Sequence, residues 1–217
     1  MKRLVILISG RGSNMAAILD AVRAETIAAR VDKVISNRRD AAGLAIAARQ
    51  GFATSVIDHR GHRDRGAFEA QLAAEIEATA PDLIVLAGFM RVLSPGFVDR
   101  FGGRLINIHP SLLPAYPGLD THRRALADGV RIHGCTVHFV TADVDHGPII
   151  AQGAIPVRWD DDEKELAVRV LGVEHRILVA AVRWFCDDRL VIVSGRVRVR
   201  NEPSDVQALI VPAADVS

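Results

Sequence analysis

The sequence predicts a single α/β domain over residues 1–217, built on a mostly parallel, twisted sheet that its later strands join antiparallel. Three patterns carry that expectation. In the first half of the chain, continuous apolar runs alternate with segments of helical periodicity, as buried parallel strands and crossover helices require. From Ile132 onward the runs become alternating and mixed, the pattern of antiparallel strands with one wetter face. No repeat, low-complexity segment or linker divides the 217 residues, a length that buries a sizeable core.

Leu4 to Ser9 reads as a buried strand that stops at Gly10-Arg11-Gly12-Ser13-Asn14, after which Met15, Ile18, Leu19 and Val22 recur at helical spacing. Val31 to Ser36 is a second strand, Ala41 to Gln50 an alanine-rich helix stopped by Gly51, and Ala53 to Ile57 a third strand. Phe68, Leu72, Ala73, Ile76 and Ala80 mark another amphipathic helix, ended by Pro81-Asp82 before the strand Leu83 to Ala87. A further strand begins at Leu105. Ile132 to Val140 and Pro148 to Val157 are the antiparallel pair, with Asp143 to Gly147 as the loop between them. Asp160, Asp161 and Asp162 place negative charge at the start of a long helix, where the macrodipole favours it, and Glu165 is spaced to pair with Arg169. Leu166, Val170, Val173, Ile177, Ala181 and Trp184 line one face of that helix to about Phe185. Leu190 to Arg200 reads as a hairpin turning at Ser194-Gly195, and residues after about 200 as a tail.

Composition excludes several classes. With 49% hydrophobic and 24% charged residues and a formal charge of +1, the chain has no surplus for a polyanion, so nucleic acid is not an expected partner. Arg196, Arg198 and Arg200 alternate along the last strand as outward edge charges. Cys135 and Cys186 lack C-x-x-C spacing, so neither a zinc site nor a disulfide framework is indicated and a reducing cytoplasm is the expected compartment. The apolar run at the start is too short for a membrane span.

The chemistry concentrates in Leu105 to Gly118, L-I-N-I-H-P-S-L-L-P-A-Y-P-G. Side chains alternate across a strand, so Asn107 and His109 share a face, and Pro110 keeps His109 extended at the carboxyl edge, where open α/β sheets bind ligands. By itself the pair also suits plain packing, with Asn107 capping the next loop and His109 in a satisfied pocket. The first glycine turn fails the dinucleotide fingerprint: Met15 stands where a third small residue belongs, and Ser36-Asn37-Arg38 offers no acid after the second strand. What remains is either a cradle for one phosphate monoester, from helix N–H groups and the Ser13 hydroxyl, or simple capping by Ser13 or Asn14. Asp145, before His146 and Gly147, is either a turn former or the carboxylate partner of His109. Brought together, Asn107, His109 and Asp145 would give an amide donor, an imidazolium donor and a proton acceptor around a developing oxyanion, which suits attack of an amine on a carbonyl. His59 and His62 have no third ligand, and His133 and His138 face opposite ways on one strand, so no metal is expected. Ser111 is in no nucleophile elbow, and neither cysteine carries a nucleophile signature.

Four stretches in order, S-G-R-G-S-N (9–14), L-A-G-F-M-R-V-L-S (86–94), N-I-H-P-S-L-L-P-A-Y-P-G (107–118) and H-F-V-T-A-D-V-D-H-G-P (138–148), resemble the phosphoribosylglycinamide formyltransferases, a folate-dependent transformylase family, from Met1 to about Leu190. The resemblance implies a Rossmann-like formyltransferase fold. It implies transfer of the formyl group of 10-formyltetrahydrofolate to the amine of glycinamide ribonucleotide in de novo purine biosynthesis, with no metal; it leaves a homodimer open. By matching position, Asn107, His109 and Asp145 are the expected catalytic set. Gly12, Ser13 and Asn14 would hold the substrate phosphate, and Leu171, Gly172, Val173 and Glu174 the rest of that substrate. Glu174 reads from its own pattern as a solvated helix charge. Folate would lie along Met90, Arg91, Val92 and Leu93, beside Asn107 and the loop Thr141, Ala142, Asp143, Val144 and Asp145, with Arg65 near its acidic tail. The resemblance also implies a cis Leu113-Pro114 bond. Two positions depart from the pattern: Asp120 replaces a frequent histidine, and His146 a smaller residue, which either crowds the folate loop or adds a titrating group beside Asp145. The nearest rival is formyltetrahydrofolate deformylase, which passes the formyl group to water and usually carries an added amino-terminal domain; a first strand starting at Leu4 weighs against it. Methionyl-tRNA formyltransferase is disfavoured by the near-neutral charge and the lack of a carboxyl-terminal RNA-binding domain. From another class, a non-catalytic nucleotide-binding module would need no Asn-x-His-Pro edge.

Overall fold

The strand that centres the molecule is β1 (Lys2–Ile8), in a computed structural model that describes residues 1–202 and Val211. Most of the expected tail lies outside the described residues. Leu4 to Ile8 are all fully buried, and alternation sends Leu4, Ile6 and Ile8 to one face of the sheet and Val5 and Leu7 to the other. The first face packs against α1 (Ser13–Arg23), α2 (Ala42–Arg49) and the long α6 (Glu163–Cys186); the second packs against α3 (Arg65–Glu77) and α4 (Pro95–Arg100). A sheet covered on both sides explains why the early strands are apolar throughout.

The remaining strands of the main sheet are β2 (Ala29–Ser36), β3 (Thr54–Val56), β4 (Leu83–Leu86), β5 (Leu105–His109), β6 (Ile132–Phe139) and β7 (Ile149–Pro156), in the order β3-β2-β1-β4-β5-β6-β7. Pairing is parallel from β3 across to β5 and antiparallel for β5-β6 and β6-β7, as the change from continuous to alternating apolar runs predicts. The chain leaves β1 toward β2 on one side and returns through β4 on the other. A crevice therefore opens at the carboxyl ends of β1 and β4. β8 (Leu190–Val193) and β9 (Arg196–Val199) form the separate hairpin, with Ser194 and Gly195 both at positive φ, as a two-residue turn of the primed type requires.

Two helices carry no clear sequence signal. α4 has six residues and α5 (Thr121–Ala127) seven, too few for a period to register. Ser94 caps α4 with Pro95 in its first turn. The pairing expected between Glu165 and Arg169 is replaced by two others: Glu165 closes a capping box with Asp162, and Arg169 pairs with the buried Asp161. Both cysteines are free, and burial pushes each thiol up to about 12. Among the described residues no helix is long and apolar enough to cross a membrane.

Two glycines permit close packing at the antiparallel edge, Gly153 against α6 and Gly134 against β7. A Cβ on Gly153 would come within 2.2 Å of Val173 Cγ1, and one on Gly134 within 1.9 Å of the Gly153 carbonyl oxygen. Gly134→Ala must therefore part β6 from β7, and it should lower unfolding free energy by about 2–3 kcal/mol. Urea denaturation measures it, and a variant as stable as the parent would show that the strands are not in such close contact.

Candidate active site

Two clefts meet at the carboxyl edge of the sheet. The first, about 810 Å³, runs from the turn after β1 to α6 and is lined by Gly10–Asn14, Asn37, Arg38, Lys164, Leu171 and Glu174, among others. The second, about 730 Å³, lies between the segment Met90–Leu93 and the loop after β6. Gly88, Met90, Arg91, Ile108, Pro110 and His122 line both, so the end of β5 is the shared wall.

At that wall folding brings the predicted trio together and adds a fourth residue. β5 pairs with β6 so that Asn107 stands opposite His138, and Asn107 Nδ2 donates to His138 Nε2 at 3.2 Å. His138 Nδ1 donates to the Phe139 carbonyl at 2.9 Å, which fixes the neutral tautomer with Nε2 as acceptor. Burial pushes the His138 pKa down, although the Phe139 carbonyl and the Asp145 carboxylate both act to raise it. Asp145 reaches in from the β6-β7 loop with φ 58°. One carboxylate oxygen accepts the Gly118 N–H at 2.8 Å and lies 3.5 Å from His109 Nδ1; the other is 3.8 Å from His138 Nε2. The side chains of His109 and Asp145 are 7% and 9% exposed, so this charge sits in a largely dry place. His109 Nε2 donates to the Tyr116 carbonyl at 2.9 Å, which commits that nitrogen's proton and turns Nδ1 to the carboxylate.

The loop between β5 and α5 that carries Tyr116 and Gly118 is itself tied to β6. Thr136 Oγ1 donates to the Ser111 carbonyl at 2.7 Å and accepts the Leu113 N–H at 3.0 Å, Gln152 Nε2 donates to the Leu113 carbonyl at 2.8 Å, and the Leu113-Pro114 bond is cis.

The glycine turn begins α1 with Gly12 at φ 75° as its N-cap, and neither Ser13 nor Asn14 caps the helix with its side chain. Gly12 is close enough to Gly43 that a Cβ would lie 2.7 Å from the Gly43 Cα, so the turn can be formed only by glycine. The first-turn N–H groups of α1 are left for the cleft, and Arg11, Arg38, Arg91 and Lys164 add positive charge to its lining. Asn14 Nδ2 donates to Glu174 Oε2 at 2.6 Å, while Asn14 Oδ1 is buried without a partner. Glu174, expected to be solvated, is 7% exposed, and burial raises its pKa even though Asn14, His109 and Arg11 act to lower it. A helix pattern cannot reveal this burial, because the residue faces α1 from 160 positions away.

The other matched positions divide. Gly12, Ser13, Asn14, Leu171 and Glu174 line the first cleft. Gly172 is exposed and Val173 packs against Gly153, so these two stand away from it. Met90, Arg91, Val92, Leu93, Asn107, Thr141, Ala142, Val144 and Asp145 line the second cleft. Asp143 is exposed outside it, and its carbonyl accepts the Thr141 hydroxyl at 3.1 Å. Arg65 is not in the lining either. Its guanidinium donates to Glu69 at 2.9 Å and to the Val92 carbonyl at 2.6 Å, so it braces the folate-side segment from behind. Asp120 lines the second cleft and pairs with Arg123, whereas His146 is exposed outside both linings with its ring on the Val144 carbonyl. His122 was not singled out by its sequence context. It lines both clefts, with Nδ1 3.1 Å from Nε2 of His133, whose pKa is pushed down to about 4 by burial and by its histidine neighbours. Among the described residues no group of three or more His, Cys, Asp or Glu is arranged to hold a metal ion.

An anion-binding turn and an apolar slot that converge on polarising donors define a site for moving a small acyl group between two ligands. The chain belongs to the formyl transferase family, whose model matches residues 2–182. It is 49% identical over 187 residues to the phosphoribosylglycinamide formyltransferase of Escherichia coli (strain K12), covering 86% of this chain and 88% of that one. Its fold matches the crystal structure of glycinamide ribonucleotide transformylase 1 from Symbiobacterium toebii with a TM-score of 0.89 at 49% identity, over 92% of this chain and 94% of that one. A formyltetrahydrofolate deformylase from Pseudomonas syringae pv. tomato shares the fold at 25% identity with a TM-score of 0.86, over 91% of this chain and 65% of that one. The sheet is accordingly the Rossmann-like sheet of formyltransferases, mostly parallel with an antiparallel edge.

The raised pKa of Glu174 has a signed consequence for stability. A carboxyl that holds its proton more tightly folded than unfolded penalises the fold at high pH, and the penalty fades as pH falls through the raised value toward the ordinary 4.5. Glu174→Gln should therefore unfold at a higher denaturant midpoint than the parent at pH 8, with the gap closing as pH approaches 4.5. A gap independent of pH would mean that burial does not bias this proton.

Proposed function

We propose that this protein transfers the formyl group of 10-formyltetrahydrofolate to the amine of glycinamide ribonucleotide, in keeping with relatives named phosphoribosylglycinamide formyltransferase. The observation that carries the reading is the convergence of Asn107, His109 and Asp145 in the second cleft, beside Ile108 and Pro110, which line both clefts. The phosphate monoester lies on the turn Gly12-Ser13-Asn14, with the rest of the ribonucleotide reaching past Glu174 toward β5. Folate occupies the second cleft, its flat ring between Met90–Leu93 and Thr141–Asp145, where an apolar slot edged by main-chain groups suits a pterin. Two free, buried-leaning cysteines fit a reducing cytoplasm.

The amine lone pair attacks the formyl carbon, and the carbonyl electrons move onto oxygen. Asn107 Nδ2 and the His109 ring donate to that oxyanion. In the ligand-free protein one Asn107 N–H goes to His138 and the other is left to give, whereas the single proton on His109 Nε2 is held by the Tyr116 carbonyl and must exchange that acceptor for the oxyanion. As nitrogen becomes cationic, Asp145 takes its proton, directly or through one water, while the Gly118 N–H holds the carboxylate beside the His109 ring. Collapse of the tetrahedral centre re-forms the carbonyl and expels the folate nitrogen, which takes back the proton held by Asp145, directly or through the same water, and leaves as tetrahydrofolate.

Hydrolysis of the same donor is the alternative for this fold. It has no use for a phosphate turn or for the cationic lining around it, which is why the ribonucleotide reading is favoured. Incubation with 10-formyltetrahydrofolate should release tetrahydrofolate only when glycinamide ribonucleotide is present; release at the same rate without it would establish the deformylase instead.

Asp145→Asn keeps an acceptor for the Gly118 N–H and loses the proton acceptor, so kcat should fall by about 10² or more with folate affinity retained. Turnover at the parental rate would remove Asp145 from the mechanism. Ser13→Ala should raise KM for the ribonucleotide about fivefold at little cost to kcat, and equal use of a dephosphorylated analogue would undo the phosphate assignment.

A further inference from the structure

The wall between the clefts, Met90–Leu93, is held by its backbone. Leu93 buries its side chain in the core at one end, but Met90 and Val92 are 68% and 59% exposed, so the stretch before Leu93 depends on main-chain hydrogen bonds for its position. At its far end Arg65 holds the Val92 carbonyl, and Glu69 accepts the Ser94 N–H at 2.8 Å. At its near end the Met90 N–H donates to the Ser9 hydroxyl at 2.7 Å, and Ser9 passes its own proton to Asn37 Oδ1 at 2.5 Å. Ser9 and Asn37 are 5% and 2% exposed, on the ends of different strands, and both line the first cleft.

A serine hydroxyl has one proton and rotates to suit it, so where its lone pairs point depends on what accepts that proton. Asn37 Oδ1 supplies the acceptor. The Asn37 backbone is fixed in turn by His59, whose Nδ1 lies 2.9 Å from the Asn37 main-chain oxygen and 3.1 Å from Nδ2; one ring nitrogen serves one partner at a time, and the nearer carbonyl takes its proton.

We propose that Asn37, a residue of the phosphate-side cleft, is a positioning residue for the folate-side cleft: through the Ser9 hydroxyl it sets the Met90–Leu93 wall against which the formyl donor lies. The inference rests on the assignment of the two clefts to two substrates made above. It places the control of folate affinity just past the end of β2, on the ribonucleotide side of the site.

Calorimetric titration of the full-length protein with tetrahydrofolate and, separately, with glycinamide ribonucleotide tests it. Asn37→Ala should weaken tetrahydrofolate binding roughly tenfold, with a matching rise in KM for the formyl donor, and weaken ribonucleotide binding by clearly less, although Asn37 also lines that ligand's cleft. Asn37→Asp keeps an oxygen for the Ser9 proton and should restore folate affinity to within about twofold of the parent. Ser9→Ala and the double variant should bind folate no more weakly than Asn37→Ala alone, since all three break one chain of contacts. Weakening of the ribonucleotide alone, equal weakening of both ligands with a lowered Tm, or an Asn37→Asp protein as impaired as Asn37→Ala would each overturn the proposal. If the parent binds tetrahydrofolate but formylates no ribonucleotide, the functional reading fails while the folate titrations still decide the role of Asn37.

Discussion

The Asp145 carboxylate is the point on which three separately folded segments depend. It joins the β6-β7 loop to Gly118 of the loop after β5 and to the rings of His109 and His138 on neighbouring strands. The Gly118 N–H is the donor that holds it in place, and the His109 Nδ1 at 3.5 Å is the nearest ring nitrogen. Its loop must bend back sharply to reach them, and Asp145 itself adopts a left-handed φ of 58° to do so, a conformation that aspartate tolerates better than most residues. Gly147 assists for a steric reason: a Cβ there would come within 1.7 Å of the Phe139 carbonyl oxygen, so the loop can fold onto the end of β6 only with glycine at that position.

The switch from parallel to antiparallel pairing at β5 is what makes such a reach possible. Parallel strands all end at the same edge, but β6 runs the other way, and its pairing with β5 sets His138 beside Asn107. The loop leaving β6 then emerges beside residues that a crossover helix would have carried far off. Two ligand slots share one wall as a result, because the parallel half supplies the glycine turn and the antiparallel half the Asp145 loop.

The fold was largely legible in the sequence because its signals are local. Apolar runs, helical spacing, Gly51, Pro81 and Ser194-Gly195 each report a boundary from within a few residues of it. The alternation of Asn107 with His109 was legible for the same reason. What escaped depends on contacts between distant segments. Glu174 has the helix position of a surface charge until α1 closes over it, and His138 reads as one residue of an alternating strand until β5 is laid beside it. Val173 and Gly172 neighbour Glu174 in sequence but are turned about 100° apart around the helix, so they face the core and the solvent. α4 and α5 escaped because one and a half to two turns leave too few residues to reveal a period.

The engagement of Asn107 with His138 and of His109 with Tyr116 in the free protein bears on what happens when only one ligand is present. His109 Nε2 has one proton, already held by the Tyr116 carbonyl, whereas the Asn107 amide keeps a second N–H beyond the one it gives to His138. A carbonyl arriving at this edge therefore meets one ready donor, and gains the other only when the loop that carries Tyr116 gives up its hold on the ring.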